Sequence, residues 1–142
     1  MIAPKVAGPT PREEWEAYEI ATHRDADTCQ KCRRAKGTNR DHRKNRSQGG
    51  LTFASNLQLL CGTGTTGCHG WVTANPEDAV TDGWAVPGWP KADWREWPAR
   101  RWVRHGHGYL ELRWVLYDDI GGFEVIDEWQ ARGRMVSMGW AG

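Results

Sequence analysis

Residues 29–72 read CQKCRRAKGTNRDHRKNRSQGGLTFASNLQLLCGTGTTGCHGWV. All four cysteines of the chain, Cys29, Cys32, Cys61 and Cys68, lie in this stretch. Cys29-Gln-Lys-Cys32 is a short chelating pair, in which a two-residue gap lets both thiolates reach one ion. The second pair is spaced more widely, and Gly62, Gly64 and Gly67 between its members permit the tight backbone path that brings both sulfurs around the same metal. One structural Zn²⁺ held by the four cysteines is therefore expected. Two disulfides are the alternative, as is a redox-active Cys-x-x-Cys that leaves the second pair without a task.

Working outward, the same stretch is cationic. Residues 29–70 carry eight Lys or Arg and one acid, Asp41, a charge of +7, while residues 1–28 (three basic, six acidic) and 71–142 (eight basic, eleven acidic) are each at −3. The whole chain, 142 residues and 16.1 kDa, has a net charge of only +1. A cationic centre between anionic flanks suggests one contact with a polyanion, the alternative being a solvated basic loop. Hydrophobic residues make up 39% and charged residues 26%, a soluble composition. No apolar run approaches the ~18 residues of a membrane span. The N-terminus turns acidic at Glu13-Glu14, where a signal peptide would be apolar. No membrane association and a cytoplasmic, reducing location are expected. Ten Trp against two Phe, with 17 Gly and seven Pro, describe a loop-rich chain with a small core, which a bound metal would help to fold.

The expected fold class is α+β in three segments: a flexible lead and N-terminal helix (1–28), a cysteine-framed centre (29–83) and a Trp-rich extended segment with a β-hairpin (84–142). Thr10-Pro11-Arg12-Glu13 reads as a capping box opening a helix to about His23, with Trp15, Tyr18 and Ile20 or Thr22 facing inward. Residues 33–50 form an exposed loop around a short strand, and Leu57, Leu59 and Leu60 an apolar run beneath it. Cys68–Ala74 reads as a short helix, and Asn75-Pro76 restarts a second that ends at Gly83. Tyr109–Tyr117 alternates as a strand, Asp118–Gly122 turns, and Phe123–Trp129 returns as a strand. His105 and His107 read as surface histidines in a turn, and Asp118-Asp119 as turn chemistry.

Between the cysteine pairs lie Asp41-His42, Asn56 and then His69 directly after Cys68. Singly these residues carry little. Their order within the cysteine frame resembles the HNH endonuclease family, in particular small phage enzymes found beside packaging genes. The pieces that carry the resemblance are Cys29–Cys32, Asp41-His42-Arg43, Gly49-Gly50, Asn56-Leu57, Leu60-Cys61-Gly62 and Gly67-Cys68-His69-Gly70-Trp71-Val72.

The resemblance implies a ββα-metal (His-Me finger) core and metal-dependent hydrolysis of DNA phosphodiester bonds with low sequence specificity. It also implies DNA and phage terminase or packaging proteins as partners, in the host cytoplasm. His42 would be the general base, Asp41 and His69 ligands of one catalytic divalent ion (Mg²⁺, Mn²⁺, Ni²⁺ or Zn²⁺), and Asn56 the residue that pins strand–loop–strand geometry and aims His42. Arg43 would join the catalytic set at the phosphate, with Arg40, Lys44 and Arg46 binding DNA. Many relatives carry a third ligand where this chain has Thr73, so the ion would have two protein ligands and water, or would recruit Asn75. Trp71 is expected beneath the metal site. The other class of function is a non-catalytic zinc module that binds nucleic acid or a packaging partner.

Overall fold

The computed structural model describes residues 8–141; the lead expected over 1–9 lies, apart from Gly8 and Pro9, outside the described residues. The chain is mixed α and β with two small sheets. Helix α1 spans Pro11–Arg24, and its capping box forms as written: Thr10 Oγ1 accepts from Glu13 N, and Glu13 Oε1 accepts from Thr10 N, both at 3.2 Å. The inward face differs from expectation. Ala17 and Ala21 are the buried residues, packed on Leu57 and Leu59, whereas Trp15 is 63% exposed. Small side chains let the helix lie close to the sheet beneath, and a Trp on that face would hold it off.

That sheet is an antiparallel pair, β1 (Asn39–His42) and β2 (Leu57–Leu60), with Asp41 opposite Gln58 and His42 opposite Leu57. Helix α2 (Gly67–Ala74) and helix α3 (Pro76–Thr81) follow, and Gly83 ends the run with a φ of +84°. Side chains are excluded there by space as well as by φ, since a Cβ on Gly83 would stand 2.5 Å from Arg100 Cγ.

A second, three-stranded antiparallel sheet has the order β3 (Ala99–His105), β4 (Tyr109–Tyr117), β5 (Phe123–Ile126). The β4 strand and its hairpin to β5 match the sequence reading. Two elements do not. The end of the Trp-rich segment, read as merely extended, is strand β3. The return strand stops at Ile126, and helix α4 (Glu128–Ser137) replaces its last residues. The cause is a second capping box: Asp127 Oδ1 accepts from Gln130 N at 2.7 Å, and Gln130 Oε1 from Asp127 N at 3.0 Å. The main core joins α3, β4, β5 and α4 around Trp94, Trp97, Trp114, Ile126 and Met135.

A buried ion cluster ties the first helix to both sheets. Asp25 accepts from Arg24 and Arg101, each at 2.8 Å, and from the Leu59 amide at 3.1 Å. Arg24 also donates to the carbonyls of Ala54 and Leu57. Removing one member of such a cluster strands the others and costs about 3–5 kcal/mol.

Candidate functional site

The four cysteine sulfurs lie within 4.8 Å of one another, and the Sγ atoms of Cys32 and Cys61 are 3.9 Å apart. A tetrahedral zinc with Zn–S bonds near 2.3 Å sets sulfur–sulfur distances of about 3.8 Å, so the quartet fits one such ion. None of the four is joined in a disulfide, and their gathering in one place gives the second pair a role that a lone redox Cys-x-x-Cys would leave it without. The local backbone explains the fit. Arg33 takes a φ of +60°, which turns the Arg34 amide onto Cys32 Sγ at 3.4 Å, and the Cys68 amide approaches Cys61 Sγ at 3.4 Å. Burial pushes the Cys32 thiol up, but the Arg34 amide and the neighbouring sulfurs outweigh it and bring it down to about 7. A thiol so placed deprotonates readily, as a zinc ligand must.

Beside this quartet, β1 and α2 frame a cleft of about 260 Å³. Asp41, His42, His69 and Thr73 line it, with Gln48 and Gly88 at its edge. Asp41 enters from the middle of β1 and His69 from the first turn of α2, which the Cys61–Cys68 loop brings back over the strand. His69 Nε2 stands 3.3 Å from Asp41 Oδ1, and the hydrogen bond to that carboxylate raises the imidazole above its ordinary pKa. Two ligand atoms adjacent on an ion with bonds near 2.1 Å are about 3 Å apart. The pair can therefore share a divalent ion, giving one oxygen and one nitrogen donor.

His42 is half-buried. Its Nε2 lies 2.9 Å from Thr52 Oγ1, and Tyr18 meets the ring edge-on. Burial and the Arg46 charge lower its pKa, against the opposing pull of Asp41 and Glu14. The ring is thus neutral at pH 7.

Asn56 is buried and pins the loop: its Oδ1 accepts from Lys44 N at 2.8 Å, and its Nδ2 donates to the carbonyls of Lys44 and Leu51. It makes no hydrogen bond to His42, and Thr52 takes that part instead. Gln58 is the other residue the sequence reading passed over. Its Nε2 donates to Asp41 Oδ2 at 3.1 Å and to the Trp84 carbonyl at 2.6 Å, orienting the carboxylate. A glutamine inside the run Leu57-Gln58-Leu59-Leu60 is the available signal, because a buried polar side chain needs a partner.

The basic residues part company. Arg43 is 1% exposed and donates to the carbonyls of Ser55, Trp94 and Trp97 at 2.9–3.1 Å, so its guanidinium holds the interior together and does not face the cleft. Lys44 is also buried, with Nζ bonded to the Ala92 carbonyl at 2.7 Å. Arg40 and Arg46 are exposed but lie near acids of α1: Arg46 is 3.4 Å from Glu14, and Arg40 is 4.0 Å from Glu19. Thr73 faces the cleft with its hydroxyl bonded to the His69 carbonyl at 3.1 Å. Asn75 turns away, its Nδ2 bonded to the Trp71 carbonyl at the end of α2. Trp71 is not in the cleft wall either; Lys31 Nζ sits 4.3 Å above its ring. His105 and His107 are exposed, and Asp118 Oδ1 accepts from the Ile120 and Gly122 amides as turn chemistry requires, whereas Asp119 departs from that expectation and accepts from Ser55 and Arg95 of distant segments.

No family model matches the chain, and no curated protein or solved structure matches it. No helix among the described residues is long and apolar enough to cross a membrane.

Proposed function

We propose that the chain is a metal-dependent endonuclease of HNH type, hydrolysing DNA phosphodiester bonds at the cleft between β1 and α2, with a ββα-metal core formed by β1, β2 and α2. The observation that carries this reading is the meeting of Asp41 and His42 of β1 with His69 of α2, 27 residues beyond His42, in one cleft. A module that only binds nucleic acid has no need of a carboxylate and two imidazoles converging there.

Asp41 and His69 would hold the divalent ion, oriented by Gln58 on the far oxygen of the carboxylate. Such an ion neutralises charge on the scissile phosphate and on the leaving 3′-oxygen. His42 takes the proton of the attacking water. With the ring proton on Nε2 and donated to Thr52 Oγ1, Nδ1 is the basic nitrogen. The lowered pKa keeps it unprotonated near neutrality, which suits a general base. Asn56 keeps the β1–β2 loop closed so that His42 stays over the cleft. The cysteine quartet with its zinc fixes the start of α2, and so the position of His69. The resemblance adds a phage setting with packaging proteins as partners.

Supercoiled plasmid incubated with the protein and Mg²⁺, Mn²⁺ or Ni²⁺ should yield nicked or linear product, and His42→Ala should not. DNA binding without cleavage under every ion would favour the non-catalytic zinc module.

A further inference from the structure

A second cleft opens on the other side of the chain segment that follows α3. Val80, Ala85 and Val86 line the first cleft, whereas Asp82 and Trp84 line this one, together with Lys31, Arg100, Leu112 and Arg132. Its cations come from three separate elements: Lys31 from the turn between Cys29 and Cys32, Arg100 from β3, and Arg132 from α4.

All three are held in place by aromatic rings, and two of them, Arg100 and Lys31, have no ion pair among the described residues. Arg100 lies 4.6 Å and Arg132 4.9 Å from the centre of the same Trp114 ring, and Lys31 sits over Trp71 and Trp84. Arg132 donates to the Thr81 carbonyl at 2.6 Å and is 3.8 Å from Glu128. The Arg100 side chain has neither hydrogen bond nor carboxylate within 4 Å among the described residues, and its buried Nε is without a partner. Lys31 Nζ has none either, and Asp82 pairs with neither of them. Burial and the nearby Arg132 charge lower the Arg100 pKa, against Glu128 and Asp82. A half-buried guanidinium with a second one beside it and no ion pair of its own, as Arg100 is, is unfavourable in the free protein. An anion entering the cleft removes that penalty and satisfies the stranded donor.

We infer that this cleft binds a backbone phosphate of DNA, gripping the strand at a point separate from the site of cutting. The inference rests on the proposed nuclease reading for the identity of the polyanion. It also supplies what the first cleft lacks, since Arg43 and Lys44 are buried and Arg40 and Arg46 lie beside carboxylates. The partly exposed side chain of Leu112 suits the sugar face next to a phosphate.

The test is equilibrium binding of a fluorescent 20-base-pair duplex to the full zinc-loaded chain, without added Mg²⁺ or Mn²⁺, across a range of NaCl. Removing one cation that neutralises a phosphate lowers the slope of log K against log[salt] by about 0.9. Arg100→Gln and Lys31→Gln should each weaken binding roughly 3- to 10-fold at moderate salt and lower the slope by about one. Arg104→Gln, on the same strand but exposed and bonded to the Gly108 carbonyl, should leave the slope unchanged. Either cleft variant suffices if the other fails to fold. Equal weakening in all three variants, or undiminished binding in the cleft variants, overturns the inference. So does stabilisation of the parent by inorganic phosphate with DNA binding insensitive to Arg100, which would assign the cleft to a free anion. Because the readout is binding, a protein that never cuts plasmid yet shows the Arg100-dependent slope refutes the nuclease reading and leaves this site standing.

Discussion

His69 Nε2 and Asp41 Oδ1 face each other at 3.3 Å across the junction of α2 and β1. Without metal, a proton on His69 is held by that carboxylate, which is why the imidazole titrates above its ordinary range. A divalent ion must displace the proton to use both donors. Metal affinity, read by calorimetry with Mn²⁺, should therefore rise with pH and level off only above the ordinary imidazole range, once His69 is fully deprotonated. His69→Ala should weaken Mn²⁺ binding at least ~10-fold and flatten that dependence. Unchanged affinity in His69→Ala would place the ion elsewhere.

His42 titrates on the other side of its ordinary value. Burial and Arg46 lower its pKa, and a bound cation beside it acts in the same direction. The acid limb of kcat/KM, which reports the free enzyme's base, should therefore fall below about pH 6.5. Arg46→Gln removes one lowering charge and should move that limb upward, whatever it does to DNA affinity. His42→Ala should cut roughly 10²- to 10⁴-fold more slowly with little change in melting temperature. An acid limb that stays put in Arg46→Gln would remove Arg46 from the account of His42.

Arg43 adjoins His42 in sequence but belongs to the interior. Burial pushes its guanidinium down to about 10, and three carbonyls from two distant segments hold it. Arg43→Lys cannot reach all three, so it should destabilise the fold by about 3 kcal/mol. For a chain of this size that is a fall in melting temperature of about 6–12 °C. A variant that melts like the parent yet cuts poorly would instead put Arg43 at the phosphate.

The cysteine quartet predicts one tightly held zinc per chain. Metal analysis of protein purified without added zinc should find it, and cobalt substitution should give the thiolate charge-transfer absorption of a sulfur-rich site. Cys32→Ser should aggregate or melt far below the parent, because α2 and the Cys61–Cys68 loop lose their anchor. A folded, zinc-free protein would exclude a structural ion.

Local chemistry written in a few adjacent residues was legible in the sequence. The Thr10–Glu13 capping box, the Tyr109–Tyr117 alternation and the Cys-x-x-Cys pair each specify their geometry within one turn or strand. Helix α4 was equally written, in Asp127 and Gln130, but Phe123–Ile126 alternates as a strand and the alternation hid the cap that follows it. What could not be read locally depends on distant partners. Nothing near Arg43 announces that Trp94 and Trp97 will receive it, nor does Lys44 announce Ala92. The same holds for Gln58 and Asp41, or for Arg100, Arg132 and Lys31 gathered around one cleft. Charge counted along the sequence gives residues 29–70 an excess of cations, but tertiary packing decides which of those charges reach solvent.

Thr73 is where the chain departs from the pattern it resembles, and its position on α2 makes the departure testable. It lies one turn beyond His69, lines the same cleft, and spends its hydroxyl on the His69 carbonyl. Residues four apart share a helix face, so a histidine there points an imidazole toward the Asp41–His69 pair without disturbing the helix cap at Asn75. Thr73→His should lower the concentration of Ni²⁺ or Zn²⁺ needed for half-maximal cleavage, roughly 10-fold, since these ions favour nitrogen donors. Mg²⁺, which prefers oxygen and keeps several waters, should gain nothing and can lose activity. The contrast between ions separates a new ligand from a general gain in stability, which would help every ion alike. Titrations unchanged for Ni²⁺, Zn²⁺ and Mg²⁺ would mean that position 73 does not reach the ion, and that the metal sits nearer β1 than α2.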